Sequence, residues 1–184
     1  MNKVFGKKTD FAPIKEDASR VIICYGYQEV DEENATWVEI YIYKKQISQI
    51  TLNDVKKAII ADIDSQTDEK ILTGFIWTDN DGVERHVWLS KENQSNYSEA
   101  QRRAEKKGNK NYVPVTFKIG EDENNAACYR TFETLDDLNT FYDGVYVHIQ
   151  QCLAEGWQKK DAIDFEPYEA FFAAAEEQEQ EVNE

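Results

Sequence analysis

Apolar positions in this chain recur in two rhythms, one of period two and one near four, and the switches between them mark out the elements. Residues 21–27 (VIICYGY) and 36–43 (TWVEIYIY) are dense in β-branched and aromatic side chains and flank the polar run DEEN, which predicts an antiparallel hairpin. In its second strand Trp37, Glu39, Tyr41 and Tyr43 share one face and Val38, Ile40 and Ile42 the other, so the Val/Ile face is expected toward the core. From Thr51 to about Gln66 the period lengthens. Leu52, Val55, Ile59 and Ile63 recur on one side, Thr51 suits an N-cap, and Asp54 stands three residues on to meet free amides.

Residues 71–77 and 83–89 return to strand composition around Asp81-Gly82, a dipeptide suited to a tight turn. A turn centred there sets Phe75 opposite Trp88, Trp77 opposite His86, and Ile76 opposite Val87. Ser90 then caps a helix over 91–107, with Gly108 placed for a left-handed C-terminal residue. Residues 113–119 and 127–132 predict two more strands, joined by the acidic loop GEDENN. A long helix starts at Thr134, carries Leu138, Phe141, Val145, Ile149 and Cys152 at helical spacing, and is expected to end at Gly156.

Pro167 opens a short helix over 167–175 with Tyr168, Phe171, Phe172 and Ala175 on one face. The first 19 residues show no clean period and read as an arm, and the terminal EEQEQEVNE reads as disordered. The order is ββ-α-ββ-α-ββ-α plus a short C-terminal helix, an α+β fold of antiparallel hairpins alternating with helices. The corresponding organisation is an arm over 1–19, one domain over 20–163 (an N-terminal hairpin over 20–46 and a core over 51–160), and an acidic tail over 164–184.

Charge narrows the partners. The formal charge is −15 over 184 residues. Nine carboxylates and no Lys or Arg lie from Asp161 onward, which leaves −6 for the first 160 residues, an ordinary balance. Nucleic-acid binding is disfavoured, because it draws on a net basic surface and the only basic cluster, residues 102–110, is small. No apolar run reaches the roughly 18 residues of a membrane span, and the N-terminus has no signal-like apolar stretch, so neither membrane insertion nor export is expected.

Candidate chemistry is sparse. Cys24, Cys128 and Cys152 are odd in number, widely spaced and set in apolar segments, which fits free thiols packed as small hydrophobes rather than a disulfide frame or metal knuckle. There is no GxSxG elbow, no HExxH pair and no glycine-rich phosphate loop. His86 reads as a cross-strand partner of Trp77, and His148 as a partly buried histidine beside the apolar stripe of the long helix. Asp137 reads as half of a capping box, and GEDENN lacks the DxDxDG ligand spacing of a calcium loop. No catalytic residue, metal ligand or cofactor is therefore expected.

Aromatic residues are more prominent, with 23 Phe, Trp and Tyr. Phe75, Trp77 and Trp88 are expected on one face of the central hairpin, to be covered by a helix or to serve as a binding platform or oligomer interface. Together with Tyr168, Phe171 and Phe172 of the C-terminal helix they are the candidate interface residues.

Several segments carry a family resemblance: TWVEIYIYKKQ at 36–46, LNDVKKAIIADIDSQTDEKI at 52–71, GFIW at 74–77, VWLSKENQSNY at 87–97, PVTFKIG at 114–120 and FETLDDLNTFYDGVYVHIQQCLAEGW at 132–157. In these the chain resembles a domain-of-unknown-function family found in phages and prophages of gut Bacteroidales, in proteins tied to the virion or its tail. The hairpin loop TDNDGVERH is longer and more charged than the short link the resemblance implies. The resemblance implies a non-enzymatic phage or prophage structural protein, an accessory component of tail, baseplate or fibre. Such a protein is made in the bacterial host cytoplasm, joins the virion, and has other virion proteins or a second copy of itself as partners. The alternatives are an assembly chaperone, an acidic DNA-mimic acting against a host defence, and, motivated by the aromatic face alone, a glycan-acting enzyme.

Overall fold

A computed structural model describes residues 2–43, 46–79, 82–106, 113–122 and 124–182. Its elements are β1 (Lys3–Lys7), β2 (Ile14–Asp17), β3 (Arg20–Glu29), β4 (Asn34–Tyr43), α1 (Leu52–Thr73), β5 (Phe75–Thr78), β6 (Glu84–Val87), α2 (Lys91–Lys106), β7 (Val115–Glu121), β8 (Ala127–Phe132), α3 (Leu135–Asp161) and α4 (Glu166–Val182). This is the expected α+β arrangement of antiparallel hairpins alternating with helices. The chain divides into two compact units: Met1–Gln66 with Trp157–Glu184, and Thr67–Gly156.

The first unit is built on a four-stranded antiparallel sheet in the order β1-β4-β3-β2. The pairing of β3 with β4 is the expected hairpin, with Ile23 opposite Ile40 and Tyr25 opposite Val38. Past Tyr25 the register shifts by one residue, a bulge that Gly26 accommodates at φ +65°. The first 19 residues, expected as an arm, instead supply both edge strands of this sheet. Both edges carry lysines and β2 is short, which hides strand periodicity and blunts the edges against further pairing.

Both faces of this sheet are covered. Val21, Ile23 and Tyr25 pack with Ile14, with Val55, Ile59 and Ile63 of α1, and with Tyr168 of α4, while Val38, Ile40 and Ile42 border the same cluster as expected. The opposite face holds a second cluster of Ile22, Cys24, Ala35 and Trp37. Trp37, expected on the outer face, is only 2% exposed. Gly6 of β1 explains how: a Cβ there would sit 2.8 Å from the Trp37 ring, so the strand lies directly against the indole.

Helix α1 starts as predicted. Thr51 Oγ1 accepts from Asp54 N at 3.2 Å while the Asp54 carboxylate accepts from Thr51 N at 3.1 Å. It runs on to Thr73, so Ile71 is a buried helical residue and not the start of a strand. The four-residue spacing of Val55, Ile59 and Ile63 reaches Ile71 through Thr67, and the helix ends where Gly74 N donates to Lys70 O at 2.9 Å.

The second unit contains two two-stranded sheets, β5-β6 and β7-β8, packed with α2 and α3. Its core centres on Phe141 of α3, whose ring lies 5.0–6.1 Å from those of Phe132, Tyr97, Trp77 and Phe75. The β5–β6 register differs from expectation by one residue: Phe75 faces Val87, Ile76 faces His86, and Trp77 faces Arg85. The cause is the loop. Asp79 N donates to Val83 O at 3.0 Å and Gly82 N to Asp79 O at 2.8 Å, so five residues close the hairpin where two were expected. Asp81 lies outside the described residues; Gly82 does adopt a positive φ of 75°.

Strand β7 begins at Val115, two residues later than expected, whereas β8 has the expected bounds. Ser90 caps α2 by accepting from Asn93 N at 3.1 Å, and its proposed stop, Gly108, lies outside the described residues. Helix α3 does not end at Gly156. A Cβ on that residue would sit 2.5 Å from Thr67 Oγ1, so the glycine permits close approach of α1 within the helix. The C-terminal segment likewise departs from expectation, since the helix opened by Glu166 continues through residues 176–182, which were expected to be disordered.

Candidate binding groove

The one-residue change of register decides where the aromatic residues point, because successive side chains on a strand face opposite ways. Phe75, Trp77, Val87 and Leu89 turn inward, and Trp77 packs edge-on to Phe141. Ile76, His86 and Trp88 turn outward, with Trp88 56% exposed. The three residues expected on one face are therefore split: Phe75 and Trp77 belong to the core, and only Trp88 is available. His86 sits across from Ile76, not Trp77.

The C-terminal candidates are also committed. Tyr168 is buried in the first unit and donates its hydroxyl to Cys24 O at 2.6 Å, while Phe171 and Phe172 are half-buried against the same cluster. Burial, with smaller effects from Cys24 and Asp164, raises the Tyr168 phenol above its ordinary range.

A groove of about 590 Å³ opens beside Trp88 in the second unit. It is lined from β6 by Glu84, Arg85, His86 and neighbouring Trp88, from the first turn of α2 by Asn93, and from β7 and its loop by Lys118, Gly120, Glu121, Asp122 and Asn125. Local chemistry fixes each wall. Asn93 Nδ2 donates to Trp88 O at 2.8 Å, tying the strand end to the helix start. Asp122 Oδ1 accepts from Asn124 N at 2.8 Å and Ala126 N at 2.9 Å, which shapes the β7–β8 loop and holds Asn125 at φ +60°.

Gly120 lets the two hairpins meet. The β7–β8 register shifts by one residue between Lys118 and Gly120, and a Cβ on Gly120 would sit 2.8 Å from His86 O. Any other residue there would push β6 away. Lys118 Nζ donates to Glu121 Oε1 at 2.6 Å, and that bond raises the ammonium pKa. The remaining outward positions of β7–β8 are polar or aromatic, with Tyr129 68% exposed and Thr116 and Thr131 sharing a 2.9 Å hydroxyl bond.

Behind the groove lies a buried charge network that the sequence reading missed. Arg130, 7% exposed, donates through Nη2 to both Asp137 oxygens at 2.8 and 2.9 Å, pairs through Nη1 with Asp79, and lies over the Phe132 ring. Asp79 also pairs with Arg85 at 3.5 Å. Asp137 thus does not close the expected capping box: Thr134 Oγ1 accepts from Asp137 N at 3.2 Å, but the carboxylate is given to Arg130. Arg130 Nε and Trp77 Nε1 are buried donors with no acceptor among the described residues.

Two other clusters bear on chemistry. Cys152 Sγ lies 3.6 Å from His148 Nε2, a contact reminiscent of a thiol–imidazole pair, but Cys152 is buried and burial raises its pKa, which favours the neutral thiol. His148 is half-buried against Phe75 with Nε2 3.3 Å from Lys70 O, the packed histidine expected. In the first unit Glu39 accepts from Trp37 Nε1 at 3.2 Å, Tyr41 OH at 3.0 Å and Lys15 at 3.4 Å. Burial works against its charge, yet those bonds from Trp37 and Tyr41 together with Lys15 hold its carboxyl below the usual value. Cys24 beside it is pushed up to about 11 by burial. All three cysteines are free thiols, Cys24 and Cys152 buried and Cys128 half-buried.

A family model covers residues 54–179, which include the second unit and its groove. The chain belongs to the family Domain of unknown function (DUF4376). This family region takes in α1 from Asp54 through most of α4 and leaves β1 to β4 outside. No curated protein and no solved structure matches the chain. Among the described residues no helix is long and apolar enough to cross a membrane.

Proposed function

We propose that this chain is a non-enzymatic structural component of a phage or prophage particle, an accessory part of tail, baseplate or fibre that acts through a binding surface. The observation that carries the reading is the outward face of the second unit, where Ile76, Trp88 and Tyr129 stand exposed beside a groove while the inward aromatic residues are used up in packing. Exposed aromatic side chains presented by packed hairpins, here Trp88 beside β6 and Tyr129 on β8, are characteristic of recognition surfaces. The resemblance to phage and prophage proteins points the same way, and membership of a domain family of unknown function is consistent with it. Its partners are other virion proteins or a second copy of itself, met after synthesis in the host cytoplasm. Mass spectrometry of purified particles tests this directly. Presence at a fixed stoichiometry is expected; absence rejects a structural role and leaves an assembly chaperone.

A second reading, an acidic DNA-mimic acting on a host defence, gains from one observation: the backbone of the acidic segment 176–182 continues α4. Truncation after Ala175 leaves Tyr168 in place and removes this segment. Inhibition of a DNA-binding enzyme by the full chain and its loss on truncation is the expected signature, and no inhibition by the full chain rejects it.

A further inference from the structure

The lining of the groove beside Trp88 specifies a ligand class. Two kinds of surface meet there: one exposed indole, and a set of side chains that are almost all charged, amide or imidazole. The groove itself, as distinct from the exposed Ile76 and Tyr129 outside it that remain open to a protein partner, is poorly matched to protein, because the centre of a protein interface is depleted of charge and an apolar patch set here would strand those polar groups. A nucleic acid or other polyanion is equally poorly matched. Glu84, Glu121 and Asp122 face the groove, whereas Lys118 is already bonded to Glu121 and Arg85 to Asp79.

A neutral polyhydroxylated ligand satisfies both surfaces. Each hydroxyl both donates and accepts, so it can serve carboxylates, amides and imidazole alike. The C–H face of a pyranose carries partial positive charge and suits the negative face of an indole ring. Glu84, His86 and Asn125 have no side-chain partner among the described residues, which leaves their hydrogen-bonding capacity for such a ligand. From Glu84 to Trp88 the strand spans roughly 13 Å at about 3.3 Å per residue, room for a short oligosaccharide and more than a single ring. The wall is also set before any ligand arrives. The Asn93 bond to Trp88 O, the Asp122 loop bonds and the Gly120 contact fix it, and that lowers the ordering cost of binding.

We propose that this groove is a saccharide-binding site for neutral oligosaccharides, with Trp88 as the stacking platform and Glu84, His86 and Asn125 as hydrogen-bonding partners. The inference rests on reading the outward face as a binding surface, and it names what that surface takes. It does not depend on where the protein is assembled.

The test is a glycan array carrying neutral and acidic bacterial and mammalian oligosaccharides, probed with the full chain, followed by calorimetric titration of the strongest neutral binder. Binding to a neutral class is expected, weakened at least about tenfold by Trp88→Ala and also by Asn125→Ala, with an unchanged melting temperature in the former. Trp157→Ala, which removes an equally exposed indole from the first unit, is expected to bind as the parent chain does. Absence of glycan binding, binding only to acidic glycans, equal binding by Trp88→Ala, or an equal loss in Trp157→Ala each overturns the proposal. So does a finding that the groove is closed by a peptide or by a second copy of the chain. Failure here with the protein present in virions leaves the structural reading standing, and glycan binding by a protein absent from virions rejects only the latter.

Discussion

The two units treat an antiparallel sheet in opposite ways. In the first, β3 is buried on both sides, from Val21 through Tyr25 without a break, because α1 and α4 pack one face while on the other Ile22 and Cys24 cluster with Trp37 and Phe11. In the second, each hairpin is covered on one side only: Phe75, Trp77 and Val87 turn in while Ile76, His86 and Trp88 turn out. Aromatic content alone does not separate the two cases. Trp37 lies within β4 and Trp88 one residue past β6, and what differs is that Gly6 of β1 and the Phe11 ring wall in the Trp37 indole whereas Trp88 stands 56% exposed. The lesson is that a sheet face becomes available for recognition when the fold supplies only one cover, and perturbing each unit should expose that difference.

The largest effect is expected at the point where the one-sided core is most concentrated. Phe141→Ala removes a fully buried ring that touches four other aromatic residues. The loss is expected to be about 4 kcal/mol from lost transfer and the residual cavity. Chemical denaturation measures it, and hydrogen exchange should place the weakening within residues 67–156. A loss confined to residues 1–66 breaks the division of cores.

Next comes the charge network behind the groove. Arg130→Met is expected to cost about 2 kcal/mol, since it leaves the Asp79 and Asp137 carboxylates without their shared guanidinium, partly offset by their residual access to water. The network spans the β5–β6 turn, β8 and the start of α3, so loss of Arg130 should also loosen the groove. Saturating salt that leaves the cost unchanged is the mark of a buried network, and a cost abolished by salt contradicts its burial.

These two sites show how far the sequence could be read. Phe141 was legible, since it falls on the helical stripe with Leu138 and Val145, and so were the caps at Thr51 and Ser90 and the bounds of β8. Strands β1 and β2 were not, because edge strands with lysines on them lack an apolar period. The β5–β6 register was missed because Asp81-Gly82 resembles a two-residue turn, while the hairpin closes through Asp79 and Val83. That single slip moved Trp88 onto the wrong face. The groove itself had only one local signal, the Gly120 preceding the acidic loop, since its walls come from elements distant in sequence and meet through a backbone contact.

In the two-sided unit the sensitive groups are buried hydroxyls. Tyr168→Phe removes the 2.6 Å bond to Cys24 O and leaves that carbonyl without it, at a cost of about 1.5 kcal/mol at neutral pH. The pH dependence has a definite sign. The folded phenol is held above its ordinary value of 10.0, so the unfolded chain ionises first and binds fewer protons than the folded chain. Stability from this group is complete below pH 10 and is lost as pH rises through the folded value. Tyr168→Phe should therefore decline less steeply above pH 10 than the parent, and an identical alkaline slope argues that the hydroxyl is not buried.

A smaller effect of opposite sign is expected at Glu39 on the second face of the same sheet. Its folded carboxyl sits below the ordinary 4.5, so its contribution is present above that value and is lost as pH falls through the lower folded value. Glu39→Gln should cost under about 1 kcal/mol at pH 7, where the carboxylate holds Trp37 and Tyr41, and the difference should vanish in acid. Denaturation of both proteins from pH 7 to pH 3 measures it. A constant difference across that range means the hydrogen bonds, and not the charge, matter.

The least effect on stability is expected where the one-sided cover predicts a free face. Trp88→Ala deletes a ring that is more than half exposed, and the strand end stays tied to α2 because Asn93 donates to the backbone oxygen of residue 88, which the substitution retains. The change in unfolding free energy is therefore expected within about 0.5 kcal/mol. A loss beyond about 1 kcal/mol means that something packs over the indole, which would make the second unit two-sided like the first. Near-neutral stability combined with lost glycan binding separates recognition from packing at this residue, and no substitution at Trp37 can do so, because there the ring is walled in by Gly6 and its neighbours.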